Sequence, residues 1–343
     1  MPETELLARY KISILVLFFL PITVAQSYPD QHVDFLLKKG IGYIMDQNYD
    51  EAGKTFQLLE QAYPKLPFGK LYSAAVLITK ANDLAVPIET DKIEKYLEEA
   101  ESIVEKNNDK KSIWTRYFLG MVNGYRAYFF SLQGKWFSTF TDAINAVNYF
   151  ENCLKIDSSF NEALISIGTY KYWKSVKAAW IPFFADERTE GIQLLTKGIE
   201  KESYNYASGV ISLLWIYIDR KKSLSAISLA EEVLKKYPNN RNFKWALARA
   251  YEDVNLSKAI ELHYELLTSY ASVKQVNRIN EIVLKHKIAQ DHERQGDYKK
   301  ALFLCNEILF KKKFTNYEKQ ILEERLERVI ALRKKLSSLE NEK

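Results

Sequence analysis

Apolar side chains recur along this chain at the spacing of one helical face, in pairs of segments separated by short polar turns. Residues 33–66 show the pattern most fully, with Gly40 in the first segment, Ala52 and Phe56 in the second, and Pro64 at the end. This periodicity predicts two antiparallel helices. Gly40 and Ala52 have almost no side chain, so the two helices can approach closely, with Phe56 filling the space beside the crossing. Pro64 is expected to end the second helix.

The same arrangement repeats along the chain and follows the order of a known repeat. The small, aromatic, alanine and proline positions of the first pair are Gly40, Tyr43, Tyr49, Ala52, Phe56 and Pro64. With this motif the chain resembles the tetratricopeptide-repeat (TPR) family, whose unit is a helix-turn-helix of about 34 residues. The resemblance implies an all-α, right-handed superhelical array of antiparallel helix pairs with about seven units and a C-terminal capping helix.

The expected division of the chain is a signal peptide at residues 1–25, the repeat array at 26–313, and a capping helix with a tail at 314–343. The repeat spacing is regular in the first, fifth and seventh units. It is irregular in the second, third and fourth, so the sequence leaves the repeat register open between residues 84 and 200.

The middle of the chain also resembles, more distantly, a eukaryotic TPR-like family that is associated with the mitochondrial outer membrane and inclusion-body clearance. The matching residues are Gly168, Pro182, Phe183, Asp186, Arg188, Gly191 and Leu195. This likeness implies an interaction role and no known chemistry. A signal peptide would place the present chain in a different compartment.

The first residues have the order of a secretory signal. Arg9 and Lys11 precede an apolar run from Ile12 to Leu20, which Pro21 interrupts, and small residues before Ala25 suit a signal peptidase. We expect cleavage after Ala25 and a periplasmic or secreted protein. The alternative is an uncleaved anchor formed by residues 12–25, although the apolar run is shorter than the ~20 residues of a spanning helix.

Composition narrows the function classes. The formal net charge is +5, and Lys and Arg alternate with Asp and Glu along nearly every helix, which argues against a nucleic-acid partner. The four histidines lack the spacing of metal ligands on one helix face, and Gly53-Lys54-Thr55 lies inside a repeat helix instead of in a phosphate loop. Cys153 and Cys305 lie several repeats apart and are expected to be small core residues. No catalytic residue, cofactor or metal site is predicted.

By resemblance to TPR arrays, the first helix of each unit lines the concave face. The side chains expected to point into that groove are those of Trp114, Tyr117, Tyr125, Tyr172, Trp173, Trp215, Trp245 and Arg249. Aromatic rings on a concave surface bind apolar side chains, prolines or sugar faces by stacking. The same rings can instead fill wide gaps between long helices, and the sequence leaves both interpretations open for each ring.

We therefore expect a non-catalytic scaffold that mediates protein–protein interaction in the periplasm or cell envelope. A protein or peptide is the expected partner, and contact with a membrane is expected only through the N-terminal segment, if that segment is not cleaved. The alternative is a solute-, peptide- or glycan-binding protein that uses an aromatic-lined concave groove.

Overall fold

Residues 27–106, 111–273, 277–310 and 313–341 are described by the structure, which is a computed structural model. The expected signal peptide at residues 1–25 lies outside the described residues. Among the described residues, no helix combines the length and the apolar character that a bilayer crossing requires.

Fifteen helices and no strand make up the regular structure of the described residues. In chain order they are α1 (Gln31–Met45), α2 (Tyr49–Ala62), α3 (Phe68–Leu84), α4 (Thr90–Lys106), α5 (Ile113–Leu132), α6 (Trp136–Ile156), α7 (Asn161–Lys177), α8 (Arg188–Gly198), α9 (Tyr206–Asp219), α10 (Ser223–Lys236), α11 (Arg241–Tyr251), α12 (Leu256–Ala271), α13 (Arg278–Arg294), α14 (Tyr298–Phe310) and α15 (Asn316–Asn341).

The helices form antiparallel pairs that stack in order. Each odd-numbered helix up to α13 packs against the even-numbered helix that follows it, and each pair packs against the next pair along the chain. Helix α15 packs on α13 and α14 and closes the C-terminal end. The expected all-α solenoid of seven pairs and a final helix is confirmed.

Short polar side chains fix where several helices begin. The Asp30 carboxylate accepts the amide hydrogens of His32 and Val33 at the start of α1. At the starts of α11 and α12, the side-chain oxygens of Asn240 and Asn255 accept hydrogen bonds from the backbone amides of Phe243 and Lys258, each over 3.1 Å. These oxygens satisfy amides that have no partner inside the first turn of a helix.

Small residues permit the close helix crossings that the sequence predicts. A Cβ atom at Gly40 would lie 2.4 Å from the ring of Phe56, so only glycine fits at that position of the first pair. In the fourth pair, a Cβ at Gly168 would lie 2.7 Å from the Gly191 carbonyl oxygen, and one at Gly191 would lie 2.8 Å from the Gly168 carbonyl oxygen. Helices α7 and α8 therefore meet backbone to backbone, a contact that no larger residue would allow.

The array coils far enough that its N-terminal units touch its C-terminal half. Asn240 donates its side-chain amide to the Met45 carbonyl oxygen over 2.7 Å. Asn280 donates to the carbonyl oxygen of Asp83 over 2.8 Å, and the Tyr317 hydroxyl donates to that of Val86 over 3.2 Å. The end of α1 therefore lies against the start of α11, and the end of α3 with its connection to α4 lies against α13 and α15, so that the concave face is partly enclosed.

The apolar core follows the array lengthwise in successive clusters of buried side chains. Cys153 and Cys305 are both fully buried and not bridged, as expected from their apolar positions. Burial raises the pKa of the Cys153 thiol to about 12 and that of Cys305 to about 11, so both thiols stay protonated at neutral pH.

Candidate functional site

The concave face forms one groove with three consecutive parts, which we call the chamber, the neck and the mouth. The chamber has a volume of about 540 Å³, the neck about 400 Å³ and the mouth about 1040 Å³. Thr79, Tyr128, Ile211 and Asn242 line both the chamber and the neck, and Trp215 lines both the neck and the mouth. Because neighbouring parts share lining residues, the three cavities adjoin one another from the first unit to the sixth.

The chamber is the apolar end of the groove. Its wall comes mainly from the odd-numbered helices α1 to α11, together with α6, and includes Ile44, Tyr72, Met121, Tyr125 and Phe243. Serine and threonine hydroxyls of α7 and α9 supply scattered hydrogen-bonding groups among these side chains. An apolar cavity of this size with few polar groups is typical of ligand sites.

A buried carboxylate lies beside the chamber, at the start of α7. Glu162 accepts the backbone amides of Tyr204 over 2.6 Å and of Asn205 over 3.0 Å. Burial raises the pKa of Glu162 to about 7, and the two amide hydrogen bonds oppose that rise. These bonds hold the segment before α9, whose Tyr204 and Asn205 side chains line the chamber.

The neck is polar and is built around a buried ion pair. Arg241 donates from its Nε to Asp83 Oδ1 over 2.9 Å and from a terminal nitrogen to Oδ2. Tyr49 and Tyr270 donate their hydroxyls to the same carboxylate over 2.9 and 3.2 Å. Burial acts to lower the pKa of Arg241, but hydrogen bonds with Asp83 and the attraction of its charge raise the pKa above its usual value.

The mouth is the open end, between the fourth, fifth and sixth units. Trp173 of α7, Trp215 of α9 and Arg249 of α11 line it together with the turns that follow α9 and α11. The Trp215 side chain is 38% exposed, and Arg249 Nη1 lies 3.4 Å from Asp253 Oδ2. Lys221 and Lys222 add two positive charges at the rim. The mouth therefore offers two aromatic faces beside groups of both charges.

The structure distributes the eight sequence-predicted site residues among the groove and the core. Trp173, Trp215 and Arg249 meet in the mouth, Trp245 lines the neck and Tyr125 lines the chamber. The indole nitrogen of Trp245 donates to the Tyr270 hydroxyl over 3.2 Å.

The other three residues are core side chains. Trp114 is half-buried and meets the rings of Tyr28 and Phe160 edge-on, with centroids 5.3 and 5.6 Å apart. Tyr117 and Tyr172 are fully buried. The expectation that these two tyrosines face a partner does not fit this burial, because a side chain without exposed surface can contact no ligand unless the helices separate.

Sequence reasoning missed most of the neck. Asn82, Asp83, Asn242 and Asn280 come from the second, sixth and seventh units, and they meet only because the array coils back on itself. The one sequence signal near them is the long connection after α3, which contains Pro87.

A second polar group is buried between the sixth and seventh units. His263 Nδ1 lies 3.0 Å from Asp291 Oδ2, and its Nε2 lies 3.9 Å from Glu252 Oε1. Lys287 pairs with Glu252 over 2.7 Å, and Arg294 lies 3.5 Å from Asp291. Because the carboxylates lie at opposite ring nitrogens and each already pairs with a basic side chain, the group suits a buried ion-pair network better than it suits a metal ion.

Comparison with known proteins finds no matching family model and no matching curated sequence. Among solved structures, the C-terminal part of a TPR repeat-containing protein from Cytophaga hutchinsonii is 20% identical, with 85% of this chain and 98% of that chain covered and a TM-score of 0.39. A tetratricopeptide repeat protein from Parabacteroides merdae is 14% identical, with 86% and 98% covered and a TM-score of 0.39.

PilW, a widely conserved type IV pilus biogenesis factor, is 13% identical, with 85% of this chain and 99% of that chain covered and a TM-score of 0.37. At these identities and TM-scores, membership of the TPR family stays a prediction, as does the resemblance of the middle region to the eukaryotic family.

Proposed function

We propose that this chain is a non-catalytic scaffold that holds an extended segment of a protein partner in its concave groove. The observation that carries the proposal is the succession of three adjoining cavities, from the apolar chamber through the polar neck to the mouth. An extended chain can place apolar side chains in the chamber, hydrogen-bond its backbone to the amides of the neck, and stack a ring or a proline on the tryptophans.

The mouth provides the test of this proposal. If Trp173 and Trp215 are anchors for a partner, replacing either with alanine should weaken binding by about 2 kcal/mol or more, because buried aromatic anchors dominate interface energies. The melting temperature should change little. The measurement is titration calorimetry with a peptide from a partner captured by photo-crosslinking at Ser212 of the chamber wall.

Trp180→Ala is the matched control, since this tryptophan is exposed and lies outside the groove. Unchanged affinity in the Trp173→Ala, Trp215→Ala double variant would place binding elsewhere. A melting transition displaced far downward in either single variant would assign that ring to the core instead.

A second candidate function rests on the chamber, whose apolar wall and volume of about 540 Å³ also suit a small solute. A thermal-shift screen against peptides, oligosaccharides and apolar solutes separates the two candidates, because a ligand that binds only the folded state raises the melting temperature. Stabilisation by a solute, and by none of the peptides, would favour solute binding.

We also propose that the scaffold works in the periplasm or outside the cell, on the strength of the N-terminal sequence. N-terminal sequencing of the protein isolated from its native host should begin at Gln26, after removal of residues 1–25. Recovery of an intact Met1 on a membrane-bound protein would instead support the anchor at residues 12–25.

A further inference from the structure

A group of exposed apolar side chains, three of them aromatic, lies in the long loop between α7 and α8. The Trp180 side chain is 81% exposed and that of Phe183 is fully exposed, while Ile181 and Phe184 are each 40% exposed. No part of the groove is lined by these four residues. Large apolar side chains grouped in this way on a surface mark an interaction site.

The turn between α9 and α10 lies next to this loop. The Tyr172 hydroxyl near the end of α7 donates to Asp219 at the end of α9, so the two helix ends are in contact. Hydrogen bonds with Arg188 are the main cause of the lowered pKa of Asp186 in the loop, and the charge of Arg220 lowers it further. We call the loop 178–187 and the turn 220–224 together the aromatic edge.

The turn contributes three consecutive bases and one more exposed apolar side chain. Arg220, Lys221 and Lys222 are exposed, and Leu224 is 71% exposed. Within the described part of the chain, none of these three bases takes part in an ion pair. They are therefore available to an anionic surface.

The acidic side chains of the aromatic edge are already neutralised. Asp186 forms a bidentate pair with Arg188, its two oxygens lying 2.9 and 3.0 Å from the Arg188 Nε. Glu187 pairs with both Lys171 and Lys174. With these charges compensated, the aromatic edge presents rings and a net positive charge.

The preceding unit extends the same side of the array. Every helix pair reverses direction at its internal turn, and the pairs stack in one orientation, so the internal turns of successive units share an edge. Helix α6 starts directly after such a turn, and its Trp136 and Phe137 are 61% and 87% exposed. Exposed rings thus continue from the third unit to the fourth.

From these observations we infer that the aromatic edge docks on the surface of a lipid bilayer that contains anionic lipids. The rings would enter the boundary between headgroups and acyl chains, and Arg220, Lys221 and Lys222 would contact the headgroups. Tryptophan beside unpaired basic residues is typical of such contacts, whereas lysine is depleted in protein–protein interfaces. This contact is separate from the N-terminal segment. Because Lys221, Lys222 and Leu224 also line the mouth, the bilayer would cover one rim of the mouth and leave the chamber and the neck open to a partner.

A fluorescence experiment tests the inference on the full chain. Ala185→Cys places a single reactive thiol in the loop for an environment-sensitive label, since Cys153 and Cys305 are buried. Vesicles of phosphatidylcholine mixed equally with phosphatidylglycerol should shift the label emission to the blue, and vesicles of phosphatidylcholine alone should do so much less. The matched control is a label at Ser158→Cys, in the turn on the opposite edge, which should not respond.

Variants then separate the two kinds of contact. The pair Trp180→Ser and Phe183→Ser should lower vesicle partitioning at least about tenfold, because interfacial binding scales with the buried apolar area. Arg220→Gln, Lys221→Asn and Lys222→Gln should each lower partitioning about fivefold at low salt, and that difference should shrink at high salt.

Three results would overturn the inference. One is an equal response from the labels at residues 185 and 158, which would mean that the N-terminal segment alone tethers the chain. Another is an equal response to neutral and anionic vesicles. The third is a shift that grows with protein concentration when no vesicles are present, which would identify a second copy of the chain as the occupant. None of these fluorescence measurements requires a peptide in the groove, so they can fail without contradicting the proposed scaffold function.

Discussion

Replacing Arg241 with alanine is expected to lower the free energy of unfolding by about 3 to 5 kcal/mol, because the Asp83 carboxylate would stay buried without its partner. Asp83 is completely buried and Arg241 is 8% exposed, so water cannot replace the lost guanidinium. Two tyrosine hydroxyls would remain on the carboxylate, but they carry no charge. Urea unfolding followed by circular dichroism gives the measurement.

The Arg241→Ala variant should also loosen the coiling of the array. The Asp83–Arg241 pair joins the second unit to the sixth, and small-angle scattering should show a larger radius of gyration at native temperature. Lys236→Ala is the matched control, because the pair of Lys236 with Glu202 is exposed and is expected to contribute less than about 1 kcal/mol. Equal losses in the two variants would mean that the buried pair does not hold the units together.

Replacing Tyr172 with alanine is expected to cost about 3 to 5 kcal/mol of folding stability, as truncation of a buried aromatic ring usually does. The ring meets that of Trp173 edge-on, with centroids 5.2 Å apart. The backbone nitrogen of Tyr172 lies at the close crossing with Gly191. Helix α8 therefore cannot move inward to fill the cavity that the alanine would leave. Thermal and urea unfolding both report the loss.

Tyr172→Phe is the matched control for this ring. It keeps the packing and removes only the hydrogen bond to Asp219, whose exposed carboxylate can turn to water, so a loss of about 1 kcal/mol is expected. A Tyr172→Ala variant that keeps its stability and loses partner binding would instead return this residue to the binding surface.

The sequence alone determined the repeat architecture. The spacing of small and aromatic residues fixes each helix pair locally, because Gly40 and Phe56 must meet wherever two such helices cross. Gly296, with a φ of +80°, lies in the turn before α14, where glycine adopts a backbone conformation that strains other residues. These contacts join residues within one unit, and the pattern of a single unit therefore contains them. Trp173 and Trp215, which line the mouth, were also predicted to face the groove from their positions on the first helices of their units.

The tertiary structure decided which predicted rings are accessible and what lies between the units. Tyr172 and Trp173 are consecutive on a helix with 3.6 residues per turn, so they point about 100° apart and only one can face the groove. Which of them does so depends on how α7 rotates against α8 and α9. The Asp83–Arg241 pair depends on the accumulated coiling of the array, since its partners are separated by 158 residues. Neighbouring repeats constrain each other through local packing, and the sequence pattern of each unit indicates that packing. A contact between distant units depends instead on the sum of many small rotations between successive pairs, which the pattern of no single unit specifies.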